Sequence, residues 1–259
     1  MIKRSYNLFK VMGIPIRVHL TLVILLLYFA FTRGLPGILI AVGVFTCVAL
    51  HELGHSWVAI RKGCSVREIM LLPIGGVAKM SHIPSRPRDE ALMAAAGPLV
   101  SFLLAVFFWL LIGTGFSSQF FFNLFAINLM LCLFNLLPSF PMDGGRIFRA
   151  FMTPRIGRLK ATALAAKIGR IMAVLFGIFG LFFAHDFILV LIAIFIYNAA
   201  GAEYRSVYAQ HMNQDWFTTE PQADIHVSPP PYAHKAPPFW KQWTKKTNSF
   251  FNDLFKNWK

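Results

Sequence analysis

Cysteine is scarce: Cys47, Cys64 and Cys132 are the only three in 259 residues. None belongs to a C-x-x-C pair, which argues against a disulfide framework or a Cys-rich zinc module. Each flanks or occupies an apolar stretch, where a thiol behaves as a small buried hydrophobe. Acidic residues are also few, 11 Asp and Glu against 25 Lys and Arg, for a net charge of +14. No internal repeat with a period of about 20–50 residues is apparent, which argues against solenoids and propellers. The basic start at Met1 leads into a long apolar stretch without a small-residue cleavage site, so a cleaved signal peptide is not expected.

Apolar length is what the chain has in abundance. Hydrophobic residues make up 56% of it and the mean hydropathy is +0.58, the composition of an integral membrane protein. Six spans are expected: Ile16–Phe31, Gly37–Ile60, Glu90–Ile112, Phe120–Leu137, Thr162–Ala184 and Phe187–Ala202. The positive charge follows this division. Lys3, Arg4, Lys10 and Arg17 precede the first span, Arg61 to Arg88 lie between the second and third, and Arg146 to Lys160 lie between the fourth and fifth. The alternate connections are nearly uncharged. That is the positive-inside pattern with both termini cytoplasmic, and it accounts for the charge without nucleic acid as a partner. An all-α multi-pass protein of the cell membrane is expected, and the lack of organellar targeting suits a bacterial inner membrane.

Within the second span stands His51-Glu52-Leu53-Gly54-His55. Ionisable groups inside a membrane helix are costly, about 2.5–3.5 kcal/mol for a charged residue at mid-span, so they point to function. From Arg61 back to His55 and His51 is about 9 to 15 Å of helix, too deep for Glu52 to reach interfacial water easily. Residues four apart share a helix face, so His51 and His55 can grip one metal ion with Glu52 beside them, the hydrolytic arrangement of zinc metalloproteases.

A catalytic zinc needs a third protein ligand. Asp143 is the outstanding candidate, in the proline-broken segment from Asn135 to Gly145. Irregular backbone at membrane depth is tolerated only where protein covers it or a wet cavity adjoins it. The alternative is a cytoplasmic turn in which Asp143 caps a short helix. Topology brings the two motifs together, because spans two and four both end on the cytoplasmic side. Asn135, on the last turn before Pro138, is placed either to hydrogen-bond a peptide backbone or to satisfy carbonyls freed by the proline.

HELGH in one span, followed by Asn135-x-x-Pro138-x-x-x-x-Asp143-Gly144, resembles the site-2 protease family of intramembrane zinc metalloproteases, peptidase family M50. The resemblance extends to Gly75-Gly76, to Ala96-Gly97-Pro98 and to Gly13–His19, and covers residues 10–205. It implies one Zn2+ per chain held by His51, His55 and Asp143, Glu52 as catalytic base, and Asn135 as a substrate-positioning residue. It also implies endopeptidase activity on transmembrane segments near the cytoplasmic face, in regulated intramembrane proteolysis or clearance of remnant peptides. The linker between spans two and three is too short for a PDZ insertion, and the tail too short and proline-rich for paired CBS modules. A membrane metal transporter and a non-catalytic scaffold of the same fold are the competing readings.

Residues 1–205 are expected to form the protease domain, with a catalytic core over 37–153. Val66–Leu72 and Val77–Met80 read as a membrane-associated β-hairpin between spans two and three. Its open edge, beside Gly75 and Gly76, can bind an unwound substrate by strand addition. Gly97-Pro98 and Ser101 read as small residues for close helix packing. After residue 205 comes a Pro-rich linker, then a basic amphipathic helix with Trp240, Trp243, Phe251, Phe255 and Trp258 on one face, suited to the lipid surface. A regulatory membrane partner or a second copy of the chain remain open as further partners.

Overall fold

The computed structural model describes residues 5–81, 84, 86–115 and 119–218, with the side chains of the last helix as far as Met212. Strands β1 (Ser5–Val11) and β2 (Ile14–His19) lead into helix α1 (Leu20–Arg61). Strands β3 (Val66–Leu72) and β4 (Gly75–Met80) precede α2 (Pro87–Gly113), α3 (Gln119–Asn135), α4 (Asp143–Ile156) and α5 (Arg158–Phe179). A π-helical turn, Gly180–Ala184, connects α5 to α6 (Phe187–Thr218). The chain divides into two compact units, Met1–Asn213 and Gln214–Lys259. The amphipathic tail helix expected in the second unit lies outside the described residues.

Among the described residues, four helices are long and apolar enough to cross a membrane: Leu20–Arg61, Pro87–Gly113, Arg158–Ala184 and Phe187–Met212. The first is two helices in one. Gly34 takes φ +62° and ψ −153°, and Pro36 follows it. A left-handed glycine and a residue without an N–H together break the helical ladder, at the place expected to separate spans one and two. Helix α3 is apolar but shorter. The result is a multi-pass membrane protein of about six helices.

The sheet is larger than the expected hairpin. It has four strands in the order β1-β2-β3-β4, with β2 and β3 parallel and the outer pairs antiparallel. Ile14, Ile16 and Val18 are buried alternately along β2, the period-two pattern of a strand with one covered face. They join Ile69 and Leu71 of β3 against Leu22 and Ala49 of α1. The first span therefore begins at Leu20 rather than Ile16, where His19 Nδ1 accepts from the Thr21 N–H at 3.3 Å. Met12 and Gly13, both at positive φ, form the two-residue turn between β1 and β2, the hairpin geometry that matches strand twist. Across the outer face, Glu68 takes Arg17 at 2.6 Å and Lys79 at 2.7 Å, tying β2, β3 and β4 by charge. Because β2 occupies one side of β3, the open edges of this sheet are β1 and β4.

Candidate metal centre

The second half of α1 brings His51 and His55 into the interior, both buried. It can lie tightly against α2 because Gly54 faces Ala96: a Cβ there would stand 2.9 Å from the Ala96 carbonyl oxygen and 2.8 Å from Val100 Cγ2. Asp143 arrives from the far side, on the first turn of α4, after the turns that follow α3. Those turns are packed backbone against backbone. A Cβ on Gly145 would come within 2.6 Å of the Ser139 carbonyl carbon, and the Phe140 N–H reaches the Ala165 carbonyl of α5 at 3.4 Å. Glycine at 144 and 145 is what lets α4 start this close to the turn before it.

Three donor atoms converge. His55 Nε2 lies 3.0 Å and His51 Nε2 3.3 Å from Asp143 Oδ2, and the two imidazole nitrogens are 3.2 Å apart. A tetrahedral zinc site with bonds of about 2.0–2.1 Å has ligand–ligand edges of about 3.3–3.4 Å, so the triangle has the size of one face of such a site. The outer ring nitrogens are held as well. His55 Nδ1 is 2.7 Å from the Met93 carbonyl; a carbonyl only accepts, so Nδ1 carries the proton and the Nε2 lone pair faces the site. His51 Nδ1 is 2.8 Å from Ser101 Oγ, which can accept in the same way. Space is reserved too: a Cβ on Gly97 would collide with His55 Nε2 and lie 2.7 Å from His51 Nε2. The residues fit a zinc ion, and no second cluster of three such ligands occurs among the described residues.

The donors open into a cavity of about 530 Å³ whose wall includes Glu52, Gly75, Gly76, Asn135, Asp143 and Arg146. Strand β4 crosses directly over the carboxylate: a Cβ on Gly76 would stand 2.5 Å from Glu52 Cγ. Asn135 lines the same cavity and donates from Nδ2 to the Leu131 carbonyl at 2.9 Å, so part of its amide is engaged by its own helix. Arg146, one turn beyond Asp143, has no carboxylate within ion-pair distance among the described residues.

Several contributing residues escape a reading of the sequence. Gly97 and Ser101, expected only to pack helices, touch or orient the imidazoles. Their signal was a stripe on α2: Met93, Gly97 and Ser101 recur every four residues and so share one face. Behind α4 lies a second polar cluster. Arg149 is fully buried and pairs through Nε and Nη2 with Glu90 of α2, the Nε bond being 2.8 Å, and through Nη1 with Glu203 of α6 at 2.9 Å. Its guanidinium also lies over the Phe140 ring, 4.8 Å from the centroid.

A membrane-embedded HExxH helix with a distant carboxylate closing its two histidines defines a site of the metallopeptidase kind. The sequence model of peptidase family M50 matches residues 39–119 and 112–176. The chain is 41% identical over 217 residues to zinc metalloprotease MJ0392 of Methanocaldococcus jannaschii, covering 78% of this chain and 61% of that protein. It is 32% identical over 202 residues to the putative zinc metalloprotease sll0528 of Synechocystis sp., covering 73% and 52%. Among solved structures, the site-2 protease from Methanocaldococcus jannaschii matches with a TM-score of 0.61 at 40% identity, over 77% of this chain and 95% of that one. The chain belongs to peptidase family M50. It spans between 52% and 61% of the length of these two curated relatives.

Proposed function

We propose that this chain is an intramembrane zinc endopeptidase that cuts transmembrane segments of other proteins near the cytoplasmic face. The observation that carries the reading is the convergence of His51 Nε2, His55 Nε2 and Asp143 within hydrogen-bond distance of one another, in a cavity also lined by Glu52. His51, His55 and Asp143 would hold one zinc ion, and what the bound ion supplies is Lewis acidity, which acidifies water towards a pKa of about 7 and polarises a carbonyl.

Glu52 takes a proton from the attacking water as its oxygen bonds to the scissile carbonyl carbon. The same carboxyl returns that proton to the leaving nitrogen as the C–N bond breaks, so water is consumed and a carboxylic acid and an amine are formed. Arg146 supplies a positive charge in the same cavity, suited to the charge that develops on the carbonyl oxygen. A substrate helix must unwind to present its backbone. The free edge of β4, at Gly75 and Gly76, offers strand pairing to the unwound segment, and Asn135 lines the same cavity.

One metal cluster among the described residues argues against a transporter, which needs a succession of sites across the membrane. The positive-inside pattern supports cytoplasmic termini in a bacterial inner membrane, and the family supports regulated proteolysis or remnant clearance as the role. The test is cleavage of a transmembrane substrate by the purified chain in liposomes, with zinc content read by mass spectrometry. Glu52→Gln is expected to keep zinc and lose cleavage; Arg146→Gln should keep zinc and substrate affinity and lower kcat. Full activity in Glu52→Gln, or zinc flux without cleavage, would overturn the assignment.

A further inference from the structure

A groove of about 790 Å³, walled by α1, α2 and the end of α3, shares no lining residue with the metal-site cavity. Nothing in the proposed reaction uses it. Its floor is apolar, formed by residues such as Ala95, Leu99, Phe102 and Leu103, and Arg61 and Lys62 stand at one end. The groove from Leu92 to Leu103 runs about 16 Å along α2 at 1.5 Å per residue. That is the depth of one leaflet of a bilayer whose hydrocarbon core is about 30 Å thick.

The charged end is built rather than incidental. Arg61 lies over the Trp57 ring at 4.0 Å from its centroid and makes no ion pair among the described residues. Lys62 Nζ is held by Asp89 Oδ1 at 2.7 Å. Exposed Arg88 lies four residues before Leu92, so it continues the same face of α2 towards this end. Arg61 and Lys62 against the one carboxylate of Asp89 leave a net positive mouth on a leaflet-deep apolar slot.

We propose that this groove is a binding site for one phospholipid with an anionic headgroup, its phosphate at Arg61 and Lys62 and an acyl chain along α2. Charge and length complementarity together select this occupant. A transmembrane peptide would match the apolar slot but not the mouth, and a zwitterionic lipid carries no net charge for it. Gly54 and Ala96, where the two site-bearing helices touch, also line the groove, so a seated lipid braces the contact that carries His55 and Gly97.

Native mass spectrometry of the full chain in detergent, titrated with phosphatidylglycerol or phosphatidylcholine of identical acyl chains, tests this. One tightly retained phosphatidylglycerol, favoured at least about tenfold over phosphatidylcholine, is expected. Arg61→Gln combined with Lys62→Gln should remove the preference, and Ala95→Trp should remove retention while leaving the cations in place. Phosphatidylglycerol should also raise the melting temperature of the unaltered chain, and not that of Ala95→Trp. Equal retention of the two lipids, a preference unchanged in the double variant, or displacement by an apolar transmembrane peptide and not by phosphatidylglycerol would overturn the proposal. The readout is binding, so it stands apart from whether the chain cleaves peptides.

Discussion

His51, Glu52 and His55 could be found from the sequence because their chemistry is local: one helical turn sets their relation. Asp143 is ninety-odd positions away, and only the shared cytoplasmic end of two spans hinted that it could meet them. Ser101 was marked only by its place in the α2 stripe with Met93 and Gly97, and a serine in an apolar helix is usually a packing residue. Its bond to His51 Nδ1 at 2.8 Å appears only once α2 is set against α1. A partner that fixes the tautomer and aim of a ligating histidine typically contributes about 10–100-fold to metal affinity. Ser101→Ala is therefore expected to weaken zinc binding by about tenfold, read by competition with a chromogenic chelator, with the helical content by circular dichroism unchanged. Zinc affinity equal to that of the unaltered chain would return Ser101 to simple packing.

At the scale of elements, the β3–β4 hairpin was legible from its apolar strands around Pro73–Gly76, and β1–β2 was not. The apolar run that continues from Ile16 into α1 masked the alternation of Ile14, Ile16 and Val18, because helix and strand periods blur in a short apolar segment. Glu68 ties the sheet together, and the Lys79 hydrogen bond, with the charges of Lys79 and Arg17, lowers its carboxyl pKa from the ordinary glutamate value against the opposing effect of partial desolvation. A carboxyl whose folded pKa lies below its unfolded value stabilises the fold above the unfolded pKa, and that contribution fades as pH falls through the folded one. Hydrogen exchange of β3 and β4 amides should accordingly lose protection on acidification from pH 5 downwards, with a smaller loss in Glu68→Gln. A second prediction concerns α4, whose first residue is Asp143. Arg149→Met leaves Glu90 with only the part-exposed Arg158 at 3.8 Å and takes the partner from Glu203; breaking such a buried pair costs about 3–5 kcal/mol, whereas replacing both Arg149 and Glu90 by apolar residues costs less. Thermal unfolding in detergent should show a large drop for Arg149→Met and substantial recovery in Arg149→Met with Glu90→Met. Equal loss in the single and double variants would mean that the pair is not coupled.

For the whole molecule, the charge distribution predicts one orientation. Hydropathy alone located most span boundaries to within a few residues, because membrane solvation imposes length on each helix, but it ended the last span at Ala202 where the apolar helix runs to Met212. It placed the break between the first two spans where Gly34 bends the helix, but not the shortness of α3, which depends on how helices pack. The basic connections, around Arg61 to Arg88 and Arg146 to Lys160, are expected in the cytoplasm, and the turn at Thr114 outside. The poverty in cysteine makes this testable without rebuilding the chain, because Cys47, Cys64 and Cys132 are all buried and free. Thr114 and Arg86 are exposed and lie just outside opposite ends of α2. In intact cells, a membrane-impermeant maleimide should label Thr114→Cys readily and leave Arg86→Cys unmodified until the membrane is permeabilised. The opposite pattern would place β4, Glu52 and the metal centre near the outer face, and with them the side of the membrane on which a substrate would be cut.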